Sequence, residues 1–475
     1  MKKITSIAII GAGPSAVSVY MELVRSQHFN LKNITLFDPL GLMNSSGFIS
    51  PSESTLTNTS VGVTSLSYQD LMDFYKWTSV KYQDKGITAT DFVPRSMVRE
   101  YCLDRFHQAK SFVSVFGCTT EVIPRSVDSF SWDGSTFTVK DSTGSQHQFD
   151  ALINATGVEQ VEPREDLQVS DSYISNPYPE TTFIDQIEPQ DNVLVIGSKL
   201  SAIDVAVALG NKGANITMVS RSGKLPSVRD ALLIEPDQRI IAEDDSNIDS
   251  LLTKLESFVE TIENSECDDG ALLLDADIQL CESGDNNWQR AIGFFVEQVN
   301  ELWPMMDDSQ KTKFEKLSQP FFGRYVSAFP IQNAKKLQSL IRSGMLRLAK
   351  GDVSDVVSLR EGMLVGHQAL EGQHYDWVIN ATGIMSKPLT EAFQQSYKAM
   401  GAEFNKYGGV VIDTDAMRVE IPESEVPYYL IGGAAKGELL VLNYLRSSAV
   451  QARKITDDLI RLTKCESSKL VSEVA

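Results

Sequence analysis

Small residues at fixed spacing stand near the start of the chain, between a short apolar run and a segment with the apolar spacing of a helix. Gly11, Gly13 and Ala16 form the pattern G-x-G-x-x-A, with Pro14 and Ser15 inside it. Glycines permit a tight turn and let backbone N–H groups approach a phosphate, and the positive end of the following helix favours the same anion. The pattern predicts that these five residues line a pyrophosphate site.

An acidic residue follows the next apolar run, where a ribose contact is expected. Asp38 ends the segment 34–38, and its carboxylate can accept hydrogen bonds from both hydroxyls of an adenosine ribose. Strand, glycines, helix, strand and acid in this order are far more specific than a glycine motif alone. Val122 is a further candidate for the adenine side of this dinucleotide site.

A second strand-turn-helix signature begins at Val193. It keeps Gly197 but has Lys199 and Ala202 at the next two glycine positions, so its phosphate loop must have a different shape. The candidate contacts in this loop are Gly197, Ser198, Leu200 and Ser201. Two such signatures in one chain indicate two bound dinucleotides.

The strand after the second signature ends in Ser220, Arg221 and Ser222, where an acid would normally meet the ribose hydroxyls. A guanidinium and hydroxyls suit a 2′-phosphate through charge-assisted bidentate contacts. The sequence therefore predicts NADPH rather than NADH, with contacts from Ser220, Arg221 and Lys224. The alternative is that Arg221 and Lys224 are ordinary solvated loop cations.

With these two signatures the chain resembles the two-dinucleotide flavoproteins, in which FAD occupies an N-terminal Rossmann unit and a nicotinamide cofactor occupies an inserted one. Two apolar strands ending in A-T-G, at 151–157 and 377–383, are similar to strands at the domain crossings of these enzymes. The segment 427–433 resembles a late strand whose glycines touch the ribityl chain and pyrophosphate of the flavin. The resemblance implies FAD contacts from Gly432 and Gly433.

Further segments are similar, in the same order, to bacterial FAD/NAD(P)-binding proteins grouped near the N-hydroxylating flavin monooxygenases. They are residues 56–59, 91–95, 197–209, 220–226 and 321–325, so the resemblance spans most of the chain. It implies that the amide of Asn58 hydrogen-bonds flavin N5 or holds the nicotinamide. A turn cap is an equally good interpretation of Asn58 from its residue type.

The resemblance and the order of elements predict an α/β fold with two Rossmann-like dinucleotide-binding domains. Residues 1–165 begin an FAD domain, residues 166–375 form an inserted NADPH domain, and residues 376–475 complete the FAD domain with a C-terminal helix. Residues 228–325 are expected to be a helical insertion in the NADPH domain. Apolar residues at helical spacing support that insertion, at 248–262 and 292–303.

The insertion is strongly acidic. From Glu235 to Asp285 there are 16 acidic residues and 2 basic ones, which is most of the net charge of −20. This charge disfavours nucleic acid and anionic membranes as partners, because both would be repelled. Guidance of a cationic amine substrate is one interpretation of the acidic segment, and a solvated acidic face is the commoner one.

Three other segments complete the predicted site. Residues 125–149 are expected to form a β-hairpin around Gly134, beside the Rossmann sheet. A long helix is predicted to start at Leu439, with its positive end near the pyrimidine edge of the flavin. Candidate pocket walls are apolar with a few polar groups, at 58–68, 321–329 and 440–444.

Composition limits the class of protein. No apolar stretch approaches the roughly 20 residues of a membrane span, and the start of the chain leads into a nucleotide strand, so a cytoplasmic location is expected. The five cysteines form no C-x-x-C pair, which argues against a disulfide-reductase dithiol, a zinc site and a secreted scaffold. The five histidines show no metal-ligand spacing, and no metal site is predicted.

The expected chemistry belongs mainly to the two cofactors, FAD and NADPH, with hydride passing from NADPH to FAD. The resemblance favours a monooxygenase that passes one oxygen atom from O₂ to a small molecule, with N-oxygenation first. The F-x-G-x-x-x-H signature of flavin-containing and Baeyer–Villiger monooxygenases is absent. An NADPH-dependent reductase or dehydrogenase shares every dinucleotide motif, and a flavin-bound redox-sensing scaffold is an alternative of another class.

Overall fold

A computed structural model describes most of the chain. The described residues are 4–26, 31–45, 47–231, 248–249, 252–253, 256, 267–284, 288–289, 298–352, 354, 356–360, 363–370, 372–442 and 444–473, the last range by backbone alone from residue 464. Much of the predicted helical spacing at 248–262 and 292–303 lies outside these ranges. The helical character of the insertion is therefore described only in part.

The first domain is built on a seven-stranded sheet with parallel strands at its centre. These central strands are continuous apolar runs, because helices and a smaller β-layer cover the sheet and the strands are buried. In spatial order the strands are Ile412–Asp413 (β20), Arg418–Val419 (β21), Tyr428–Leu430 (β22), Ala151–Asn154 (β7), Ser6–Ile10 (β1), Asn33–Phe37 (β2) and Thr119–Ile123 (β3). Strand β22 pairs in parallel with β7. The sheet therefore joins segments from both ends of the chain, as the predicted fold requires.

A second sheet of five strands carries the second glycine signature. In spatial order its strands are Leu346–Lys350 (β14), Asn215–Ser220 (β11), Asn192–Ile196 (β10), Trp377–Asn380 (β18) and Tyr173–Ile174 (β9). Every neighbouring pair is parallel. The prediction of an α/β fold with two Rossmann-like units is confirmed.

The domain boundary differs from the one expected at residues 375 and 376. Strand β18 pairs in parallel with β10, so it belongs to the second sheet. The arrangement is the same in both domains, because each A-T-G strand pairs with the strand that leads into a glycine turn. The second A-T-G strand therefore belongs to the second domain. The chain returns to the first domain only after Asn380.

The two chain crossings between the domains pair with each other. Val158–Gln160 (β8) follows the first A-T-G motif, Ile384–Ser386 (β19) follows the second, and the two strands are antiparallel. Asn380, at the end of β18, donates its amide to the carbonyl of Ser175 at 3.0 Å. The domains are thus joined by a two-stranded ribbon.

Smaller β-layers flank both sheets. Residues 125–149 form three antiparallel strands instead of the predicted hairpin, because a second turn at Gly144 follows the first at Gly134. These and the remaining strands are Val127–Trp132 (β4), Phe137–Asp141 (β5), Gln146–Phe149 (β6), Val228–Arg229 (β12), Phe329–Pro330 (β13), Val357–Arg360 (β15), Met363–Gly366 (β16) and His374–Tyr375 (β17).

Helices cover the two sheets. Their bounds are Pro14–Ser26 (α1), Asp73–Lys81 (α2), Arg95–Val115 (α3), Leu200–Lys212 (α4), Gly270–Ser283 (α5), Asp308–Phe321 (α6), Ile331–Arg342 (α7), Glu391–Ala399 (α8) and Leu445–Glu473 (α9). Helix α1 packs against α3 and α9, and α4 packs against α7. Among the described residues, no helix has both the length and the apolar content to cross a bilayer.

The insertion begins and ends at a pair of short parallel strands, β12 and β13. Its described part contains α5 and α6, and α6 begins with a capping box between Asp307 and Gln310. Pro320 removes an N–H donor near the end of α6, and the turn Phe322–Val326 that follows has the wider π-helical hydrogen bonding. This turn and Trp303 share an apolar cluster with Leu440 of the first domain.

The last helix begins at Leu445 and not at Leu439 as predicted. Asn300 of the insertion accepts the N–H groups of Leu440 and Val441 at 3.1 and 2.9 Å, and donates to the carbonyl of Val441 at 2.9 Å. These bonds satisfy the backbone outside a helix. The insertion therefore holds residues 440 and 441 outside a helix.

Candidate active site

The first glycine turn is shaped by close contact between backbone segments. Gly11 has a φ of +107°, and its N–H donates to the carbonyl of Phe37 at 2.7 Å. A Cβ at Gly11 would lie 2.5 Å from the carbonyl oxygen of Ala155, in the first A-T-G motif. No side chain fits there, so a glycine is required at this position.

The next residues leave room for a phosphate. A Cβ at Gly13 would meet no atom within 4 Å, and α1 begins at Pro14 immediately after it. Ala16, in the first turn of α1, is fully buried. The hydroxyl of Ser15 lies 2.9 Å from that of Ser448 in α9. The open space at a helix N-terminus fits the pyrophosphate of a dinucleotide.

Asp38 is fixed at the carboxyl end of β2. Its Oδ2 accepts the N–H of Ala12 at 2.9 Å, and its Oδ1 accepts the N–H of Leu40 at 2.9 Å. Val122 lies beside it on β3, where the carbonyl of Ile123 accepts the N–H of Asp38 at 3.1 Å. The structure thus places Asp38 and Val122 at one edge of the sheet, next to the glycine turn.

The two late glycines pack against the same turn. The N–H of Gly432 donates to the side chain of Gln451 at 2.8 Å, and a Cβ there would lie 2.6 Å from the Ser15 hydroxyl. A Cβ at Gly433 would lie 2.7 Å from the carbonyl oxygen of Gly157. The first site therefore gathers residues from both ends of the chain.

The second turn repeats the geometry of the first. Gly197 has a φ of +124°, its N–H donates to the carbonyl of Val219 at 2.7 Å, and a Cβ there would overlap the carbonyl oxygen of Ala381. Leu200 begins α4, and Ser201 follows in its first turn. Since the contact with an A-T-G alanine recurs, the two domains hold their glycine turns in the same way.

The loop after β11 is tied to the second turn. Ser198 donates its hydroxyl to the carbonyl of Lys224 at 2.7 Å, and the hydroxyl of Ser220 accepts the N–H of Gly223 at 3.0 Å. Arg221 is exposed at the tip of this loop, and Lys224 lies 3.6 Å from the exposed carboxylate of Asp268. The structure brings all the predicted NADPH contacts to one edge of the second sheet.

Lys199 lies in the second glycine turn, immediately before α4. It is a further cation of this site and was not among the predicted contacts. Its side chain is exposed, yet surrounding protein lowers the pKa of its ammonium, and the charge of Arg221 lowers it further. Its Nζ lies 3.3 Å from the position of a Cβ at Gly323, in the π-helical turn. The only sequence signal was the lysine itself, at a position where the pattern has glycine.

Asn58 lies at the boundary between the two domains. Its backbone carbonyl accepts a hydrogen bond from Nη1 of Arg229 at 3.1 Å, and its side chain is half-buried. Arg229 was missed by sequence reasoning, because nothing in its neighbourhood marks it from other arginines. It is 3 % exposed, and burial lowers its pKa to about 10.

A buried polar cluster joins the two domains near α4. Arg95, the first residue of α3, donates Nη2 to Asp204 of α4 at 2.8 Å. The phenol of Tyr178 donates to the same carboxylate oxygen at 2.7 Å, and Arg95 Nε donates to the carbonyl of Leu56 at 3.1 Å. Burial is the largest single influence on the pKa of Arg95 and acts to lower it, but Asp204, Tyr178 and Glu180 together outweigh burial and raise the pKa.

A scan against protein-family models matches residues 8–159 to FAD-NAD(P)-binding. No curated protein matches the chain. Solved structures with this fold include the ornithine hydroxylase PvdA from Pseudomonas aeruginosa, at 13 % identity and a TM-score of 0.61, with 97 % of this chain and 99 % of that chain covered. L-lysine 6-monooxygenase from Pseudomonas syringae, at 12 % identity, also has a TM-score of 0.61, with 96 % and 99 % covered.

A reductase shares the fold as well. The bacillithiol disulfide reductase Bdr (YpdA) from Staphylococcus aureus is 14 % identical, with a TM-score of 0.53 and 97 % and 99 % of the two chains covered. At such identities the likeness shows the fold alone. Residues 8–159 therefore match the FAD-NAD(P)-binding family model, within a chain whose fold is similar to those of the ornithine hydroxylase, the lysine 6-monooxygenase and the bacillithiol disulfide reductase.

Proposed function

We propose that the protein is an FAD-dependent NADPH oxidoreductase that acts as a monooxygenase on a small molecule, with an amine nitrogen as the favoured oxygen acceptor. The observation that carries this proposal is the repeated glycine turn. Gly11 against Ala155 and Gly197 against Ala381 form two phosphate cradles of the same construction, each on parallel strands of its sheet. A protein with one nucleotide has no use for the second cradle.

The residues of the first cradle hold FAD in this proposal. The turn and the start of α1 bind the pyrophosphate, Asp38 binds the ribose, and the late glycines lie along the flavin side of the cofactor. The proposed FAD contacts are Gly11, Gly13, Pro14, Ser15, Ala16, Asp38, Val122, Gly432 and Gly433. Asn58 is the proposed contact to the flavin ring or the nicotinamide.

The residues of the second cradle hold NADPH. Arg221, with support from Lys224 and Ser220, pairs with the 2′-phosphate, because a guanidinium can offer it two parallel charge-assisted bonds. The remaining proposed contacts, at the turn and the start of α4, are Gly197, Ser198, Leu200 and Ser201. Bound FAD supplies the redox chemistry, since it takes up hydride from NADPH and activates O₂.

The chain itself positions these cofactors and limits the access of water. The Arg95–Asp204 contact fixes the second domain against the first at the start of α4. The insertion covers the segment before α9 through Asn300, and Trp303 donates Nε1 to the carbonyl of Gly437 at 2.9 Å. Its aromatic side chains pack beside the same segment, which favours a site that is closed to bulk water.

Two observations favour oxygen transfer over disulfide reduction. The fold similarity to the ornithine hydroxylase and the lysine monooxygenase is closer, at a TM-score of 0.61, than that to the bacillithiol disulfide reductase, at 0.53. The sequence has no C-x-x-C dithiol, and in the described part of the chain Cys102, Cys118 and Cys281 are buried while Cys267 is exposed. The reductase is the second candidate, and its likeness in fold is the observation in its favour.

Isotopically labelled O₂ tests the proposal. The FAD-loaded protein is given NADPH and a panel of amines, thioethers and aromatic compounds, and both labelled product and released peroxide are measured. A monooxygenase gives labelled product in proportion to the NADPH consumed. If NADPH is consumed but only peroxide is released, or an added disulfide is reduced and no labelled product forms, the protein is a reductase. If no NADPH is consumed, the redox-sensing scaffold is the remaining function.

A further inference from the structure

Arg229 is a buried guanidinium whose hydrogen bonds within the described part of the chain all go to backbone carbonyls. Nη1 donates to Asn58 O at 3.1 Å, and Nη2 donates to the carbonyls of Tyr325 and Val326 at 2.9 and 3.1 Å. Its Nε is buried and has no hydrogen-bond partner. The side chain sits at the end of β12, where the insertion begins.

No carboxylate of the described residues neutralises the positive charge of Arg229. Among the described residues no Asp or Glu lies within ion-pair distance of it, and the only ionisable side chain that acts on its pKa is Tyr444. By contrast, the neighbouring buried arginine, Arg324, pairs with Asp277 at 2.8 Å. A buried cation compensated only by dipoles is destabilising, and such groups concentrate at functional sites.

The position of Arg229 relates it to all three candidate pocket walls. It binds the first wall through the carbonyl of Asn58 and the second through the π-helical turn, and it interacts electrostatically with Tyr444 of the third. These segments come from both domains and from the insertion. Arg229 thus lies where the three candidate pocket walls meet.

We propose that Arg229 is the counter-charge for an anionic group bound where residues 58, 322–326 and 444 meet. The inference rests on the proposed function for the identity of that group, which has two possible sources. One is an acidic group on the small-molecule substrate, and the other is the reduced flavin, which carries a negative charge when it is not protonated. In either case the bound anion provides the negative charge that compensates the Arg229 guanidinium.

The test compares wild type with Arg229→Gln and Arg229→Lys, and uses the exposed Arg347→Gln as a control for the loss of one positive charge. Calorimetry measures the binding of benzoate and of its neutral analogue benzamide to the FAD-loaded protein. The midpoint potential of the flavin is measured on the same samples without substrate. FAD content and reduction by NADPH are recorded for each sample, so a failure of the proposed function is seen separately.

If the anion comes from the substrate, benzoate binds wild type about tenfold or more tightly than benzamide, and Arg229→Gln abolishes the preference while Arg229→Lys keeps part of it. If the anion is the reduced flavin, Arg229→Gln lowers the midpoint potential and Arg229→Lys restores most of it. The control Arg347→Gln leaves both quantities unchanged. The inference is overturned if Arg229→Gln folds, binds FAD and changes neither quantity.

Wild type alone keeps the inference testable if Arg229→Gln does not fold. The pH dependence of the wild-type midpoint potential shows whether the reduced flavin is held as an anion. An anionic reduced flavin, or a preference for benzoate over benzamide, supports the counter-charge. A protonated reduced flavin together with equal affinity for the two probes contradicts it.

Discussion

Arg95 in the first domain and Asp204 in the second form a buried ion pair, with Nη2 and Oδ2 2.8 Å apart and side chains 16 % and 7 % exposed. The two residues belong to helices of different sheets, α3 and α4. Tyr178 and the carbonyl of Leu56 complete the hydrogen bonding of the pair. Because α4 also carries the second glycine turn at its start, this pair sets where that turn lies relative to the first domain.

Replacing Asp204 with asparagine removes the carboxylate that is hydrogen-bonded to the buried Arg95 guanidinium. We expect the free energy of unfolding to fall by about 3–5 kcal/mol, the range found when one member of a buried pair is removed. Urea denaturation of the FAD-loaded protein measures this loss. The matched control is Asp185→Asn, which breaks an exposed pair with Lys212 of the same helix and should cost at most about 1 kcal/mol. Equal losses in both variants would show that the Arg95–Asp204 pair has no special role.

Gly11→Ala and Gly197→Ala separate the two cradles. Each added methyl group meets the carbonyl of an A-T-G alanine, in addition to the strain of a positive φ. We expect Gly11→Ala to lose FAD, and Gly197→Ala to keep FAD but lose its reduction by NADPH. Visible absorbance of the purified protein and anaerobic reduction measure the two effects.

Gly344→Ala is the control for that pair, because Gly344 has a φ of +79° with no atom near its missing Cβ. Gly344→Ala introduces the strain of a positive φ without a steric clash. The variant should therefore still bind FAD, and NADPH should still reduce that FAD. A Gly11→Ala protein that is as yellow as Gly344→Ala would contradict the assignment of the first cradle.

Arg221→Ala tests the preference for NADPH. The loss of charge-assisted bonds to a 2′-phosphate should raise KM for NADPH about tenfold or more and leave KM for NADH nearly unchanged. Steady-state kinetics with both cofactors measure the effect, and Arg347→Ala removes an exposed arginine from the same sheet as a control. An equal rise in KM for NADPH and NADH would show that Arg221 does not bind the 2′-phosphate.

Lys199 gives the second site a pH dependence. Its pKa lies below the usual 10.5, so it loses its positive charge at a lower pH than other lysines do. The neutral amine attracts the cofactor phosphates less, so the dissociation constant for NADPH should rise with pH across that range. Titrations at several pH values should show the rise in wild type and in Lys212→Met, but not in Lys199→Met. A rise that persists in Lys199→Met would assign it to another group.

The cradles were accessible from the sequence because they depend on local patterns. A tight turn needs glycine at a fixed place after an apolar strand, and this requirement is visible in Gly11 and Gly197 without any knowledge of the fold. The A-T-G strands were recognised by their resemblance to strands of the two-dinucleotide flavoproteins. Their pairing with the glycine strands was not, and so the boundary at 376 cut the second sheet at β18.

The contacts between distant segments left no such pattern. Arg95 and Asp204 are far apart in sequence, and neither differs from a surface residue until the domains meet. Asn300 holds residues 440–441 outside a helix, which overrode the helical apolar spacing and moved the start of α9 to Leu445. Arg229 is distinguished only by its burial and by the lack of a carboxylate partner, which depend on the assembled fold.

The most direct test of the account is an anaerobic titration of the FAD-loaded protein with NADPH. Two cradles that bring a nicotinamide to the flavin predict a yellow protein that binds one FAD and loses its visible absorbance as one equivalent of NADPH is added. A protein that refuses added FAD, or that holds FAD which NADPH does not reduce, would contradict the central claim.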